Sequence, residues 1–271
     1  MRAIDVLSPG VLTTVQDLGR PGLAHLGVPP SGAVDAPSLE RGNRLVGNDR
    51  AAAALEATLI GPRLRFRGAA LVAISAPGRD ERAFAVSAGD ELEVGRLEYG
   101  ARGYVCVRGG IDVAPVLGSR STDLHSGLGP APLRAGDVLA LGPEPHATPE
   151  PLARRDVDVE PVLHFHPGPR DDWFAPDAIE ALVGTEWRVS PDSNRVAVRL
   201  EGPALRRVRT DELLSEGVVT GALQVPPSGL PILLLNDHPT TGGYPVLAVV
   251  TSDDLPVAGQ LRPGDRVSFR R

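Results

Sequence analysis

The sequence predicts a mainly β fold built of many short strands and few helices. Three observations carry this. Glycine and proline make up 31 and 27 of the 271 residues, about a fifth against an average near 12%, so the chain turns often. Hydrophobic content is an ordinary 42%, enough for a core and too high for a disordered chain. The apolar residues fall in short runs bounded by Gly, Pro, Asn or Asp, as strands do.

In chain order, Asp35-Ala36-Pro37 opens a helix through Leu39 and Leu45 that stops at Gly47-Asn48. Asp can cap the first N–H groups, Pro loses nothing in a first turn, and Gly accepts the left-handed conformation that ends a helix. A second short helix is expected over Arg50–Leu55. Strands are expected at Leu64–Arg67, Leu71–Ile74, Ala83–Val86, Glu91–Val94, Tyr104–Val107 and Val138–Leu141. Residues 143–161 carry five prolines and mixed charge and read as a linker or extended surface segment. They place a boundary near 150, between a β-rich subdomain (1–150) and a β-barrel subdomain (151–271). Beyond it come a strand at Val162–Phe165, a helix over Pro176–Val183, a strand at Val196–Leu200 and a helix over Thr210–Glu216. Ile232–Leu235, apolar throughout, belongs inside a sheet, and Val246–Val250 and Arg266–Phe269 complete the strands. Three turns repeat a Gly-Asp pair: Ala88-Gly89-Asp90, Ala135-Gly136-Asp137 and Pro263-Gly264-Asp265.

Phrases also recur. Val28-Pro29-Pro30-Ser31-Gly32 returns as Val225-Pro226-Pro227-Ser228-Gly229, Gly61-Pro62-Arg63-Leu64-Arg65 as Gly202-Pro203-Ala204-Leu205-Arg206, and Leu133-Arg134-Ala135-Gly136-Asp137 as Leu261-Arg262-Pro263-Gly264-Asp265. Their spacings differ, so a simple tandem repeat is excluded. Two related barrels with exchanged segments, or recurrent turn chemistry, both remain open.

All 28 basic side chains are arginines. Without lysine there is no Schiff-base chemistry, no lysine-bearing phosphate loop, and no attachment point for biotin or lipoate. A net charge of −6, scattered arginines and 4% aromatic residues argue against a nucleic-acid partner. The single Cys106 excludes an intrachain disulfide and a multi-cysteine zinc site, and its strand-like setting reads as a small buried hydrophobe. No apolar run approaches a membrane span and the opening residues lack a signal-peptide core, so a cytoplasmic protein is expected.

Strong generic catalytic signatures are absent, and the candidate chemistry sits in glycine-rich turns. Gln16, Asp17 and Asp35 are the catalytic candidates. Asp17 is equally read as pinning its turn with Arg20, and Asp35 as a helix cap. Arg20, Ser31, Gly32, and Ser119, Arg120, Ser121 and Thr122 of the cluster Gly118-Ser119-Arg120-Ser121-Thr122-Asp123 are candidate oxyanion contacts, since hydroxyls and a guanidinium can bind an anion together, and the cluster is equally read as a solvated turn. Thr240-Thr241-Gly242-Gly243-Tyr244 exposes backbone N–H groups suited to an anion nest. His164-Phe165-His166 places two imidazoles on one face, but no third ligand is evident and no metal is expected.

These phrases in order resemble a known family. Val15–Gly22, Gly27–Asp35 and Asn43-Arg44-Leu45-Val46-Gly47-Asn48 resemble its N-terminal signature. Gly109-Gly110-Ile111-Asp112 and Gly118–Thr122 resemble its middle. Gly168-Pro169-Arg170, Ser193-Asn194-Arg195, Arg199–Gly202, Gln224–Pro227 and Thr240–Pro245 resemble its C-terminal half. The family is the C component of 5-oxoprolinase, also called KipA-like, allophanate hydrolase subunit 2 or the biotin-dependent carboxyltransferase family. Arg41-Gly42 departs from its usual small pair, and Val246 stands where a basic residue is frequent.

The resemblance implies two cyclophilin-like β-barrel subdomains and adds Arg195, Gln224 and Pro226 to the candidate contacts. It implies ATP-dependent opening of 5-oxo-L-proline to L-glutamate, with ATP and Mg bound in a complex with the KipI-like B component and the A component of 5-oxoprolinase. It also implies that the chain is inactive alone. Two other roles stay open: a carboxyltransferase component using carboxybiotin from another chain, and a non-enzymatic regulator of a kinase inhibitor.

Overall fold

A computed structural model of the chain describes residues 2–79, 81–152 and 161–271. Two compact units emerge, Met1–Arg20 with Ser31–Val157, and Pro21–Pro30 with Asp158–Arg271.

The first unit contains β1 (Ala3–Ser8), β2 (Leu12–Gln16), helix α1 (Ala36–Val46), β3 (Ala54–Thr58), β4 (Arg63–Phe66), β5 (Ala70–Ser75), β6 (Ala83–Val86), β7 (Glu91–Glu93), β8 (Arg102–Val107) and β9 (Val138–Ala140). They form two antiparallel sheets, ordered β7-β4-β1-β9 and β2-β3-β8-β5-β6. Alternation fixes the faces. Leu64 and Phe66 of β4 point inward while Arg63 and Arg65 point out and share Glu91. Ile4, Val6, Leu64 and Phe66 from one sheet meet Val15, Leu55, Val72, Ile74, Val105 and Val107 from the other in a single core. Strand β8 is buried along its whole length because α1 covers its other face, with Leu39, Leu45 and Val46 packed on Ala73, Tyr104 and Cys106.

Helix α1 starts and stops as its sequence dictates. The Asp35 carboxylate accepts from Ser38 N–H, and Gly47 ends the helix at φ +72°, its N–H returning to the Asn43 and Arg44 carbonyls. Gly42 allows the close approach to β8: a Cβ there would stand 2.6 Å from Cys106 Sγ. The neighbouring Arg41, unusual on sequence grounds, pairs with Glu81. Asn43 Nδ2 donates to the carbonyls of Arg50 and Ala52, while Asn48 donates to Val107 O and accepts from Gly109 N–H. Those contacts correct the helix expected over 50–55. Its carbonyls are claimed by a side chain, and strand β3 begins at Ala54.

Burial pushes the Cys106 thiol far above its ordinary range. The folded chain should therefore give no measurable reaction with an aromatic disulfide reagent over a period in which the urea-unfolded chain reacts completely.

The second unit contains β10 (Val162–Pro167), α2 (Ala178–Val183), β11 (Trp187–Val189), β12 (Ala197–Glu201), β13 (Glu216–Gly217), β14 (Ala222–Gln224), β15 (Ile232–Leu234), β16 (Thr241–Gly242), β17 (Val246–Val250), α3 (Leu255–Gly259) and β18 (Arg266–Arg270). Seven strands close into a barrel, β10-β17-β14-β15-β12-β11-β18. The seam is the parallel pairing of β10 with β18, Val162 opposite Ser268. Closure removes the exposed edges an open sheet would present. Leu163, Trp187, Val189, Leu223, Leu233 and Leu247 are fully buried, and the Phe165 and Phe269 rings meet edge to face at 6.4 Å.

No helix forms over 210–216. The segment offers too few apolar residues for a buried face, and Leu214 is 88% exposed. A single turn without tertiary packing does not offset the cost of its nucleation. The mainly β class with few short helices is as expected. The three Gly-Asp turns share one construction: Gly89, Gly136 and Gly264 have φ of +91°, +95° and +90°. Asp90, Asp137 and Asp265 accept from the N–H three residues earlier, at 2.8, 2.7 and 2.7 Å. In the proline-rich stretch, Arg108 binds the carbonyls of Pro145 and Ala147, and Arg44 pairs with Glu150. Residues 153–160 of that stretch lie outside the described residues. Among the described residues no helix is long and apolar enough to cross a membrane.

Candidate functional site

In the first unit, three loops converge on Asp17, which follows the end of β2. Asp17 Oδ1 accepts from Gly19 N–H at 2.8 Å and from the Ser119 and Ser121 hydroxyls, both at 2.6 Å, while Oδ2 accepts from Arg120 N–H at 2.6 Å. Four donors on one carboxylate make it an anchor for the 119–121 turn rather than a base with a vacant lone pair. Arg20, buried beside it, commits its guanidinium to the Ser31 hydroxyl (2.8 Å), Ser121 O (2.6 Å) and Val116 O (3.3 Å). Ser31 donates to Asp123 Oδ2 at 3.0 Å. Ser31 and Gly32 both have positive φ, +52° and +86°. A Cβ at Gly32 would sit 2.7 Å from Gly19 N, so only glycine lets these two turns touch.

Gln16 Nε2 donates to Thr14 Oγ1 and Thr122 O, both at 3.0 Å, and Gln16 Oε1 and Thr122 Oγ1 are buried without a hydrogen-bond partner. Asp35 caps α1 through Ser38 N–H (3.0 Å) and the Ser38 hydroxyl (2.5 Å). Beneath it, Tyr104 OH donates to Glu56 Oε2 at 2.8 Å and accepts from Asp35 N–H at 2.9 Å. Glu56 also holds Val34 N–H, at 3.0 Å. Burial, then the Glu56 and Asp35 charges, push the Tyr104 phenol well above its ordinary range. Arg120 is the most accessible cation of this network, its side chain 40% exposed, with Nε on Val113 O at 2.8 Å.

In the second unit, Arg195 and Asp237 form a fully buried bidentate pair, Nε to Oδ2 at 3.0 Å and Nη2 to Oδ1 at 3.1 Å. Arg195 O also accepts Asp237 N–H at 3.2 Å. This pair fixes the exit of β15. The chain then continues through His238, whose Nδ1 lies 2.7 Å from Pro239 O, to Thr240, whose carbonyl accepts Val218 N–H. Strand β16 pairs Thr241 and Gly242 with β13, and Arg170 grips Glu216 of β13 at 2.5 Å. Gln224 supports the loop from behind, Nε2 donating to Tyr244 O at 3.3 Å. Pro226 O closes its own turn by accepting Gly229 N–H. Thr241, Gly243 and Tyr244 are exposed.

Residues 26–271 match the family model described as carboxyltransferase domain, subdomain A and B. The chain belongs to the carboxyltransferase domain family. It is 36% identical over 279 residues to the C component of 5-oxoprolinase from Escherichia coli, covering 98% of this chain and 90% of that protein. It is 37% identical over 308 residues to urea amidolyase of Lachancea kluyveri, covering 98% of this chain and 17% of that protein. A crystal structure of TTHA0988 superimposes with a TM-score of 0.90 at 38% identity, over all of this chain and 56% of that one. The chain thus spans about half of that solved protein.

Within this carboxyltransferase domain, the structure joins Gln16, Asp17, Arg20, Ser31, Ser119, Arg120, Ser121 and Thr122 into one network, with Gly32 making the close turn contact. Asp35 belongs to a second network, with Tyr104 and Glu56. Arg195, Gln224 and the 240–244 loop lie in the other unit, together with Pro226. Sequence reasoning missed Glu56, Tyr104, Glu216 and the Arg195–Asp237 pairing. Asp123, the last residue of the 118–123 cluster, joins the network as the acceptor of the Ser31 hydroxyl. His164 Nδ1 lies 2.9 Å from Asp254, and among the described residues no group of three His, Cys, Asp or Glu is placed to hold a metal ion.

Proposed function

We propose that this chain is the C component of an ATP-dependent 5-oxoprolinase in the cytoplasm. On this reading it opens 5-oxo-L-proline to L-glutamate together with a KipI-like B component and an A component, and is inactive alone. The observation that supports the reading is the correspondence of length: the 5-oxoprolinase relative in E. coli is matched over 90% of its own sequence, whereas the urea amidolyase is matched over 17%.

The lactam carbonyl is a poor electrophile, and its hydrolysis requires activation of the oxygen, which ATP supplies. Neither unit, taken by itself, forms a triphosphate cradle from the expected arginines. Arg20 and Arg195 are 3% and 1% exposed and bound to acceptors of their own chain. We therefore assign ATP and its Mg to the assembled complex. This chain's part is to hold accessible groups in fixed positions, Arg120 on the Asp17-anchored turn and Thr241, Gly243 and Tyr244 on the loop after β15.

The test is glutamate release from 5-oxoproline and ATP by the three co-purified components. Release is expected with all three and none when this chain is omitted. No release from the complete set, or undiminished release without this chain, overturns the reading. The second reading, a carboxyltransferase component, is favoured by the 37% identity to urea amidolyase. With no lysine in the chain, its carboxybiotin would come from another protein. Urea-stimulated, bicarbonate-dependent ATP hydrolysis with a biotin-bearing partner would select it.

A further inference from the structure

We propose that the turn Val116–Ser119 of the first unit is a docking tip, which places Leu117 in an apolar pocket of a partner protein and Arg120 on a carboxylate at the rim of that pocket. The inference rests on the proposed function only for the name of that partner, the B component.

Residue type and backbone disagree at this turn. Val116 and Ser119 exchange both backbone hydrogen bonds, at 2.8 and 3.2 Å, so Leu117 and Gly118 are the two central residues of a tight hairpin. Both have positive φ, +51° and +82°, the pattern of a type I′ turn, whose first central position favours Asn, Asp or Gly. A leucine there is strained, because its Cβ crowds the backbone in the left-handed region. The other two non-glycine residues at positive φ are tied into the fold. Ser31 uses its buried hydroxyl, and Leu59 donates its N–H to Ala101 O while its carbonyl accepts Leu97 N–H. Leu117 is 52% exposed, and a Cβ on Gly118 would meet nothing within 4 Å. The tip therefore points into solvent, and the fold gains little from the leucine it strains to present.

The mounting of the tip is rigid. The Asp17 carboxylate holds the Ser119 and Ser121 hydroxyls and Arg120 N–H, and the Arg20 guanidinium holds Val116 O and Ser121 O. Two buried charges thus clamp the turn on both sides, which lowers the ordering cost of docking. Leu18, beside Asp17, is a second exposed leucine at this clamp. Arg120 supplies the charge. Its side chain is partly exposed, and its ion-pair partner, the exposed Asp112, stands at 3.7 Å, beyond hydrogen-bond length. A strained apolar side chain held next to a loosely paired guanidinium matches an apolar pocket with an acidic rim.

The test is a calorimetric titration of the full chain with the purified B component, with urea unfolding of each variant alongside. Leu117→Asn suits the turn better and should unfold no earlier than wild type, yet bind at least ten-fold more weakly. Leu117→Met should bind within a few-fold of wild type and Arg120→Gln several-fold more weakly. Val11→Asn, at an exposed apolar side chain elsewhere in the unit, should bind as wild type does. A wild-type chain that fails to bind the B component overturns the partner named in the proposed function, and this inference with it. The inference alone is overturned if wild type binds and folded Leu117→Asn or Arg120→Gln binds equally well. It is also overturned if Leu117→Met or Val11→Asn loses as much affinity as Leu117→Asn. Self-association of the chain that Leu117→Asn abolishes would assign the tip to a second copy and overturn it too.

Discussion

Replacing Asp237 by alanine is expected to destabilise the second unit by roughly 3–5 kcal/mol, the range for leaving one partner of a buried pair uncompensated. Both side chains are 0% exposed, so no water can take over the two hydrogen bonds that Arg195 loses. The effect should exceed that of any exposed pair, such as Arg63 with Glu91, where median values are ~0–1 kcal/mol. Both tryptophans of the chain, Trp173 and Trp187, lie in this unit and are buried. Urea unfolding followed by tryptophan fluorescence therefore reads the right unit, and the midpoint should fall sharply in Asp237→Ala. Replacing both partners with apolar residues of similar volume should recover much of the loss, because no charge is then stranded. A single variant with an unchanged midpoint would show that the pair is not holding the barrel.

Asp17→Ala should have an effect of similar size in the first unit, roughly 3–5 kcal/mol, reckoned from bonds to a charged acceptor at ~1.5–3 kcal/mol each, partly offset by water reaching freed donors. It frees two backbone N–H groups and two hydroxyls at once. Asp17→Asn should lie between, since an amide accepts on one side only and turns its own donors toward the other. Cys106 supplies the readout. It is fully buried in this unit, so its labelling rate in sub-denaturing urea measures opening of the unit, and that rate should rise in the order wild type, Asn, Ala.

The strands that sequence reasoning found are marked by short apolar or alternating runs. All of those named from β4 onward, including Ile232–Leu234 between β14 and β12, fall where their runs indicate. Two that it passed over, β2 and β3, hide their burial behind polar residues: Thr13, Thr14, Gln16 and Glu56 are all buried. A Glu in mid-strand reads as solvent-facing, yet Glu56 is the acceptor for Tyr104 and Val34. The candidate site was legible to the same depth. Turn residues with hydroxyls and arginines do gather, because glycine-rich turns bring backbone N–H groups and short side chains together. What spacing could not convey was that Arg20 holds its own chain's Ser31 and Ser121, and Arg195 an aspartate 42 positions away. An arginine that grips a ligand and one that staples two loops have the same local sequence.

The passage of residues 21–30 into the second unit, between two stretches of the first, has a consequence for synthesis and dissection. The chain changes units three times, so a single cut cannot yield two whole pieces. A fragment beginning at 158 lacks ten residues that its unit uses, and those ten residues are translated long before the barrel strands exist. On the ribosome they must wait while the intervening unit is made. Removing the second unit leaves them as an orphaned loop inside the first, and expression of either unit alone calls for transplanting the decapeptide rather than for trimming the termini.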